Sequence, residues 1–246
     1  MLTSMQVLAL GILCGLVSGS ARADTRDAWT LAYRPSAPVS YRTTAAEDTE
    51  TVSTAGTEHR RVTSDRTVEQ VVRPAVDGLE VELKALKSSV RYDGAQIGSV
   101  QITPVSCFGV RVTGEPAVGA SQGLGVIFAE REVKLGEEWT SQTRGSAESP
   151  VPVCTRYRVV RRDAIGARPC LVIETTADGQ GKLTSGTAIS YRARGRVYFD
   201  PLAGQILRAR STARTRYDVP AGHRSGVTRR ETVLKASLEL AAPAVQ

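Results

Sequence analysis

The chain of 246 residues contains no asparagine, two histidines, two tryptophans and three phenylalanines. Each scarcity excludes something. His59 and His223 are far apart, the cysteines do not cluster and no Asp-x-Asp loop is present, so neither a zinc nor a calcium ligand set can be assembled. No metal or other cofactor is expected. Aromatics make up 5% of the residues and do not interleave the arginine clusters, which removes the stacking platforms that single-stranded nucleic acid requires. Helical periodicity is also rare. The one long apolar run, Val7 to Val17, is too short to span a bilayer.

That run leads through Ser18-Gly19-Ser20 to Ala21-Arg22-Ala23, a small-x-small pattern that predicts a secretory leader over residues 1–23. Lys and Arg are missing before the run. Leu13, which precedes Cys14, is not the small residue of a lipid-attachment site. Residues 24–246 are therefore predicted to form one exported domain, periplasmic or extracellular, without a transmembrane segment. Only Cys107, Cys154 and Cys170 remain in it.

What is present in excess is arginine. The chain has 27 arginines beside five lysines, a bias that a GC-rich genome produces without selection for binding. The distribution is less easily explained. From Asp24 to Val100 there are 10 basic and 12 acidic residues; from Val151 to Gln246 there are 17 and 7.

Alternation of apolar and polar residues recurs along the chain, with Thr and Val abundant, as half-buried strands require. Strands are predicted near Val39–Ala45, Thr49–Ala55, Arg60–Arg73, Leu79–Ala85, Phe108–Thr113, Leu124–Phe128 and Val227–Leu240. Turn signals stand at Asp77-Gly78, Asp93-Gly94, Gly114-Glu-Pro116, Asp178-Gly179 and Pro220-Ala-Gly222. Strands so closely connected must be mostly antiparallel, because a parallel return needs a long crossover. The fold class that follows is mostly β: a large curved antiparallel sheet or half-barrel built of successive hairpins. Residues 114–152 are the least regular and mark a junction between two sheet regions.

Two hairpins stand out in the basic segment. Tyr191 to Phe199 and Gln205 to Tyr217 flank the turn residues Asp200 to Gly204, and their even positions carry Arg192, Arg194, Arg196, Arg208, Arg210, Arg214 and Arg216. Even-with-even pairing puts all seven on one face and Ala193, Val197, Leu207, Ala209 and Tyr217 on the other. In the preceding hairpin, Tyr157, Val159, Leu171 and Ile173 share a core face, while Arg156, Arg158, Arg162 and Glu174 share the opposite one. That hairpin holds Cys154 at its open end and Cys170 near its turn, on the order of 20 Å apart. A disulfide needs Cα atoms within about 7 Å. Any disulfide is thus expected to join Cys107 with Cys154 or Cys170.

The arginine stripe admits two interpretations. One is a solvated face neutralised by acidic residues from the N-terminal half. The other is an electropositive sheet for anionic lipid, acidic polysaccharide or an acidic envelope protein.

Motifs with catalytic potential fail on context. Gly119-Ala-Ser121-Gln-Gly123 matches a nucleophile elbow, but Leu124 to Phe128 looks like a strand where a helix is required, and only His223 lies downstream as a base. Gly179-Gln-Gly-Lys182 lacks the residues of a phosphate loop, with Thr176 and Leu183 in the wrong places, and is expected to be a hairpin loop. Glu137-Glu138 point opposite ways if they lie in a strand, and Trp139 is expected at a sheet edge or in the core.

Val133-Lys-Leu-Gly-Glu-Glu-Trp139, Tyr157-Arg-Val-Val160, Gly166 to Ile173 and Gly195-Arg-Val-Tyr-Phe-Asp-Pro-Leu-Ala-Gly-Gln-Ile206 together resemble a β-rich family of bacterial exported proteins and lipoproteins of unknown function. The resemblance covers about residues 114–217. It implies an envelope location and an antiparallel sheet, and transfers no catalytic residue. The function expected is thus a non-enzymatic envelope protein, with an anionic partner on the arginine face. The alternatives are a periplasmic lipid or lipoprotein carrier with an apolar concavity opposite the arginines, and a serine hydrolase using Ser121.

Overall fold

The computed structural model describes residues 27–34, 36–75, 78–93, 95–98, 106–111, 126–129, 131–143, 151–220 and 226–241. Alternating Thr, Val and charged residues extend into strands longer than the sequence suggests. In chain order the strands are β1 (Ala28–Thr30), β2 (Ser36–Ser53), β3 (Gly56–Ala75), β4 (Gly78–Tyr92), β5 (Ala95–Gly98), β6 (Ser106–Arg111) and β7 (Glu132–Lys134). They continue with β8 (Glu138–Thr143), β9 (Val153–Ile165), β10 (Arg168–Lys182), β11 (Ala188–Asp200), β12 (Gln205–Asp218) and β13 (Val227–Leu240). The runs expected at Val39–Ala45 and Thr49–Ala55 are one strand, β2.

Eleven strands form one antiparallel sheet in the order β5-β4-β3-β2-β13-β12-β11-β10-β9-β8, with β6 pairing the remaining outer part of β4. The two halves meet where the last strand pairs β2, from Leu240 opposite Tyr41 to Val227 opposite Ser53. Strands β6 and β8, consecutive in this sheet by sequence, lie at its opposite edges. A separate ribbon pairs β1 with β7. Among the described residues no helix is long and apolar enough to cross a membrane.

Turn chemistry sets the hairpins. Between β11 and β12, Asp200 Oδ1 accepts the amides of Leu202 and Ala203 at 2.9 Å each, and Gly204 adopts φ +65°. Its missing Cβ also matters, because one would lie 2.7 Å from the Arg34 amide nitrogen. Between β2 and β3, Gly56 at φ +131° closes the turn, with Ser53 Oγ donating to its carbonyl at 3.1 Å. Asp178-Gly179 and Gly179 to Lys182 do not turn. They lie within β10, where the flat faces of Gly179 and Gly181 admit Val151 and Pro152; a Cβ on Gly179 would stand 2.7 Å from the Pro152 carbonyl.

The core lies against the apolar face of β8 to β12. Trp139, Tyr157, Val159, Ile173, Val197 and Phe199 cover it from the sheet side, and Trp29, Leu31, Val126 and Val133 from the other. Tyr33, Phe128 and Phe199 form a ring cluster with centroids 4.7 to 6.1 Å apart. Trp139 stacks on Tyr157 at 5.2 Å and donates its indole N–H to the Ile127 carbonyl at 2.7 Å. Residues 126–129 are not a strand. They make an irregular cover whose backbone bonds to side chains instead, including the Val126 amide to Tyr33 Oη at 3.3 Å. Burial pushes the Tyr33 phenol up to about 12.

Two β-bulges correct the expected parity. In β9, Arg161 pairs Val172 and Val159 pairs Ile173, so Val160 is the extra residue. Arg162 therefore changes face: it sits opposite buried Leu171, with its guanidinium 4.9 Å over the Trp29 ring and 3.7 Å from Asp27. In β12, Leu207 is the extra residue between the pairs Tyr198–Arg208 and Phe199–Ile206.

Candidate functional site

Even-with-even pairing in β11 and β12 places all seven arginines of the hairpin on one face: Arg192 opposite Arg214, Arg196 opposite Arg210, Arg194 opposite Thr212, with Arg208 and Arg216 at the ends. Four have carboxylate partners. Arg196 reaches Glu174 at 2.8 Å, Arg214 reaches Glu231 at 3.2 Å, Arg216 reaches Asp218 at 2.8 Å, and Arg208 pairs with Glu239. Such exposed pairs contribute only about 0.2–1 kcal/mol each, but they spend much of the stripe's charge.

These acids come from β10, β12 and β13, not from the N-terminal half. The N-terminal acids have cations of their own: Asp65 binds Arg42, and Asp48 lies 3.6 Å from Arg61. Glu174 stands opposite both Arg158 and Arg196, as the bridge between the two basic hairpins. Arg192, Arg194 and Arg210 have no ion pair among the described residues.

Cys154 and Cys170 are free thiols, so neither is joined to Cys107. In β10 the partner of Cys154 is Asp178, eight positions from Cys170, which keeps the two apart. Cys107 lies in β6 at the other side of the sheet. Ser121, His223 and the leader at residues 1–23 fall outside the described residues.

The opposite face divides into two unlike halves. Over β8 to β12 it is filled by the aromatic core. Over β13, β2, β3 and β4 the same face carries Leu234, Ala236 and Leu238, then Thr43 and Ala45, then Val62 and Ser64, then Val90 and Tyr92. Among the described residues, the buried core cluster takes none from β2, β3 or β4.

Polar side chains on this second half include Glu47, opposite Leu234 and Val62, and Arg60, over the Tyr92 ring, and two others are buried without a partner among the described residues. Tyr41 is 1% exposed, and its hydroxyl has no hydrogen-bond partner among the described residues; the same is true of Arg66 Nε, also buried. Tyr41 pairs Val68 and Thr43 pairs Arg66, which makes Tyr41 and Arg66 diagonal neighbours on adjacent strands. Burial raises the Tyr41 phenol above its ordinary range; Tyr33 adds to this and Arg168 opposes it. The phenol thus stays a neutral donor. Two buried donors on neighbouring strands match the acceptors of one carboxylate or phosphate group. Their signal in the sequence is parity: Arg66 is in phase with Val62 and Ser64, not with the solvent-facing Arg61 and Asp65.

No protein-family model matches the chain, and no curated protein matches it. Among solved structures it is similar to lipovitellin, in a structure concerned with lipid–protein interactions, at 10% identity and TM-score 0.47, over 87% of this chain. The chain spans 26% of that lipovitellin chain. DynF from the dynemicin biosynthesis pathway of Micromonospora chersina is similar over 86% of this chain and 85% of its own, at 10% identity and TM-score 0.26. A DUF1329 family protein from Desulfovibrio piger follows at 11% identity and TM-score 0.16, over 82% and 85%. All three scores lie below 0.5, so function must be argued from the sheet itself.

Proposed function

We propose that this protein is a non-enzymatic carrier of the cell envelope, exported to the periplasm, which holds the acyl chain of an anionic lipid against the apolar face of β13, β2, β3 and β4. The observation that carries this is the pair Tyr41 and Arg66, two buried donor atoms without partners among the described residues, beside the small side chains of Ala45 and Ser64 on the same face. An unsatisfied buried donor costs on the order of 1–3 kcal/mol, more if charged, and a head group with oxygen acceptors relieves both at once. Small residues such as Ala236, Ala45 and Ser64 in one row leave room for an alkyl chain, which gains about 0.8 kcal/mol per buried methylene. The aromatic plug in the other half explains why the carrier surface is confined to this one.

The test is titration of delipidated protein with cis-parinaric acid, followed by its fluorescence, alongside the matching long-chain alcohol as competitor. Saturable one-to-one binding is expected, with Arg66→Met weakening the acid at least tenfold and leaving the alcohol within twofold; Tyr41→Phe weakens the acid severalfold. Circular dichroism checks the fold of each variant. Absence of saturable binding, or equal acid affinity in Arg66→Met, contradicts the proposal.

A further inference from the structure

The charged face holds a second feature, independent of the lipid-facing one. Register is continuous across nine strands and lines up one row of residues perpendicular to them: Thr140, Arg156, Thr176, Arg194, Thr212, Lys235, Ala46, Thr63 and Arg91. Hydroxyls and cations alternate through the first six. No acid occurs anywhere in the row.

The rows on either side differ. Two residues away along the strands, one neighbour carries Glu138, Arg158, Glu174 and Arg196, paired as Arg158–Glu138 at 3.8 Å and Arg196–Glu174 at 2.8 Å. The other carries Asp178, Arg192, Arg214, Asp48 and Arg61, where Arg61–Asp48 measures 3.6 Å and Arg214 reaches Glu231. Arg156, Arg194, Lys235 and Arg91 are exposed and have no ion pair among the described residues. Arg210 and Arg192, also without an ion pair among the described residues, stand one in each flanking row beside Arg194. What sets the central row apart is that it carries cations and no acid, while both flanking rows carry carboxylates roughly 7 Å away, two residues of strand rise.

Its dimensions decide what it fits. Adjacent strands lie about 4.8 Å apart, so Arg156, Arg194 and Lys235 repeat at about 9.6 Å and the whole row extends roughly 38 Å. That is too long for a small anion. A flat anionic membrane would press its phosphates against the flanking carboxylates as well as the row, which costs like-charge repulsion and desolvation. A linear polyanion meets only the row. Nucleic acid lacks its stacking platform here, since none of the nine residues is aromatic.

We infer that this row is a binding track for an extended acidic polysaccharide bearing a carboxylate on alternate sugars. A pyranose advances a glycan by about one strand spacing, so alternate sugars place their carboxylates at the cations and the intervening rings at the threonines. Arginine accepts a carboxylate bidentately, and threonine hydroxyls both donate to and accept from sugar hydroxyls.

The experiment is calorimetric titration of the folded protein with hyaluronan oligosaccharides, whose carboxylates alternate in this way. Parallel arms use neutral dextran, single-stranded oligothymidylate and anionic phosphatidylglycerol vesicles. Expected is binding of hyaluronan that weakens at least tenfold from low to physiological salt, no binding of dextran, and weaker binding of the other polyanions. Arg194→Gln is expected to cost about tenfold and the triple Arg156→Gln/Arg194→Gln/Lys235→Gln to abolish binding, while Arg216→Gln, which lies outside the row, changes it less than twofold. The single variant keeps the test decisive if the triple fails to fold. No binding of hyaluronan at low salt overturns the track, as does unchanged affinity in Arg194→Gln. Tighter binding of vesicles or oligothymidylate through the same residues overturns the polysaccharide in favour of that partner. Cis-parinaric acid binding is unaffected by these substitutions, so the two sites fail or stand separately.

Discussion

Cys170 shows how one residue's chemistry is set by its place in the sheet. It is 3% exposed, and burial, helped by the charges of Asp163 and Asp200, pushes its thiol up to about 11. The neutral form is thus favoured until the pH approaches that value, and thiolate is the reactive species. Iodoacetamide at pH 8 is expected to label Cys154, which is partly exposed, at least a hundredfold faster than Cys170, with Cys170 labelled fully only after unfolding. Peptide mapping by mass spectrometry reads both sites, and equal native labelling would contradict the burial described here. At the same scale, Arg66 and Arg162 are arginines in expected strands that do not behave as surface arginines. Arg66 is legible from parity alone. Arg162 is not, because a single extra residue, Val160, turns it from the charged face to Trp29.

At the scale of the element, the arginine hairpin was the most legible part of the chain. Alternating arginine with small or apolar residues tolerates one register only, since a one-residue slip would bury charge. The preceding hairpin was less so. Tyr157-Arg-Val-Val-Arg-Arg162 contains two like pairs in succession, and parity across them is ambiguous without knowing where the bulge falls. Asp178-Gly179 misled for a different reason: its local chemistry favours a turn, but a distant segment, Val151-Pro152, packs onto the glycines and keeps the strand straight through them. That contact is testable. Gly179→Ala places a Cβ against a backbone carbonyl, which has little room to yield, and is expected to destabilise the protein by about 1–3 kcal/mol in urea unfolding. A neutral or stabilising change would mean that the segment does not rest on β10.

At the scale of the whole molecule, the described residues build a sheet with two unlike faces, one lined with ion pairs and one carrying the aromatic core over β8 to β12. Apart from Arg162, which lies near Asp27, the ion pairs of the basic C-terminal segment among the described residues do not reach acids of the N-terminal one, and unpaired cations gather in and beside the row through Arg156, Arg194 and Lys235. The excess is visible in the charge of each segment, but the acid-free row depends on register across nine strands. The apolar face was legible as a face and not as two halves, because the cover from Trp29, Tyr33 and Phe128 is brought in from segments remote in sequence. Asymmetry of that cover leaves the face of β13, β2, β3 and β4 outside the aromatic core, where the proposal places the lipid. The most direct measurement is photolabelling with a long-chain fatty acid carrying a diazirine in its alkyl tail, with adducts mapped by mass spectrometry. Adducts are predicted on Leu234, Ala236, Ala45, Val62 and Ser64; adducts confined to the arginine face or to β8–β12, or none at all, would contradict a carrier.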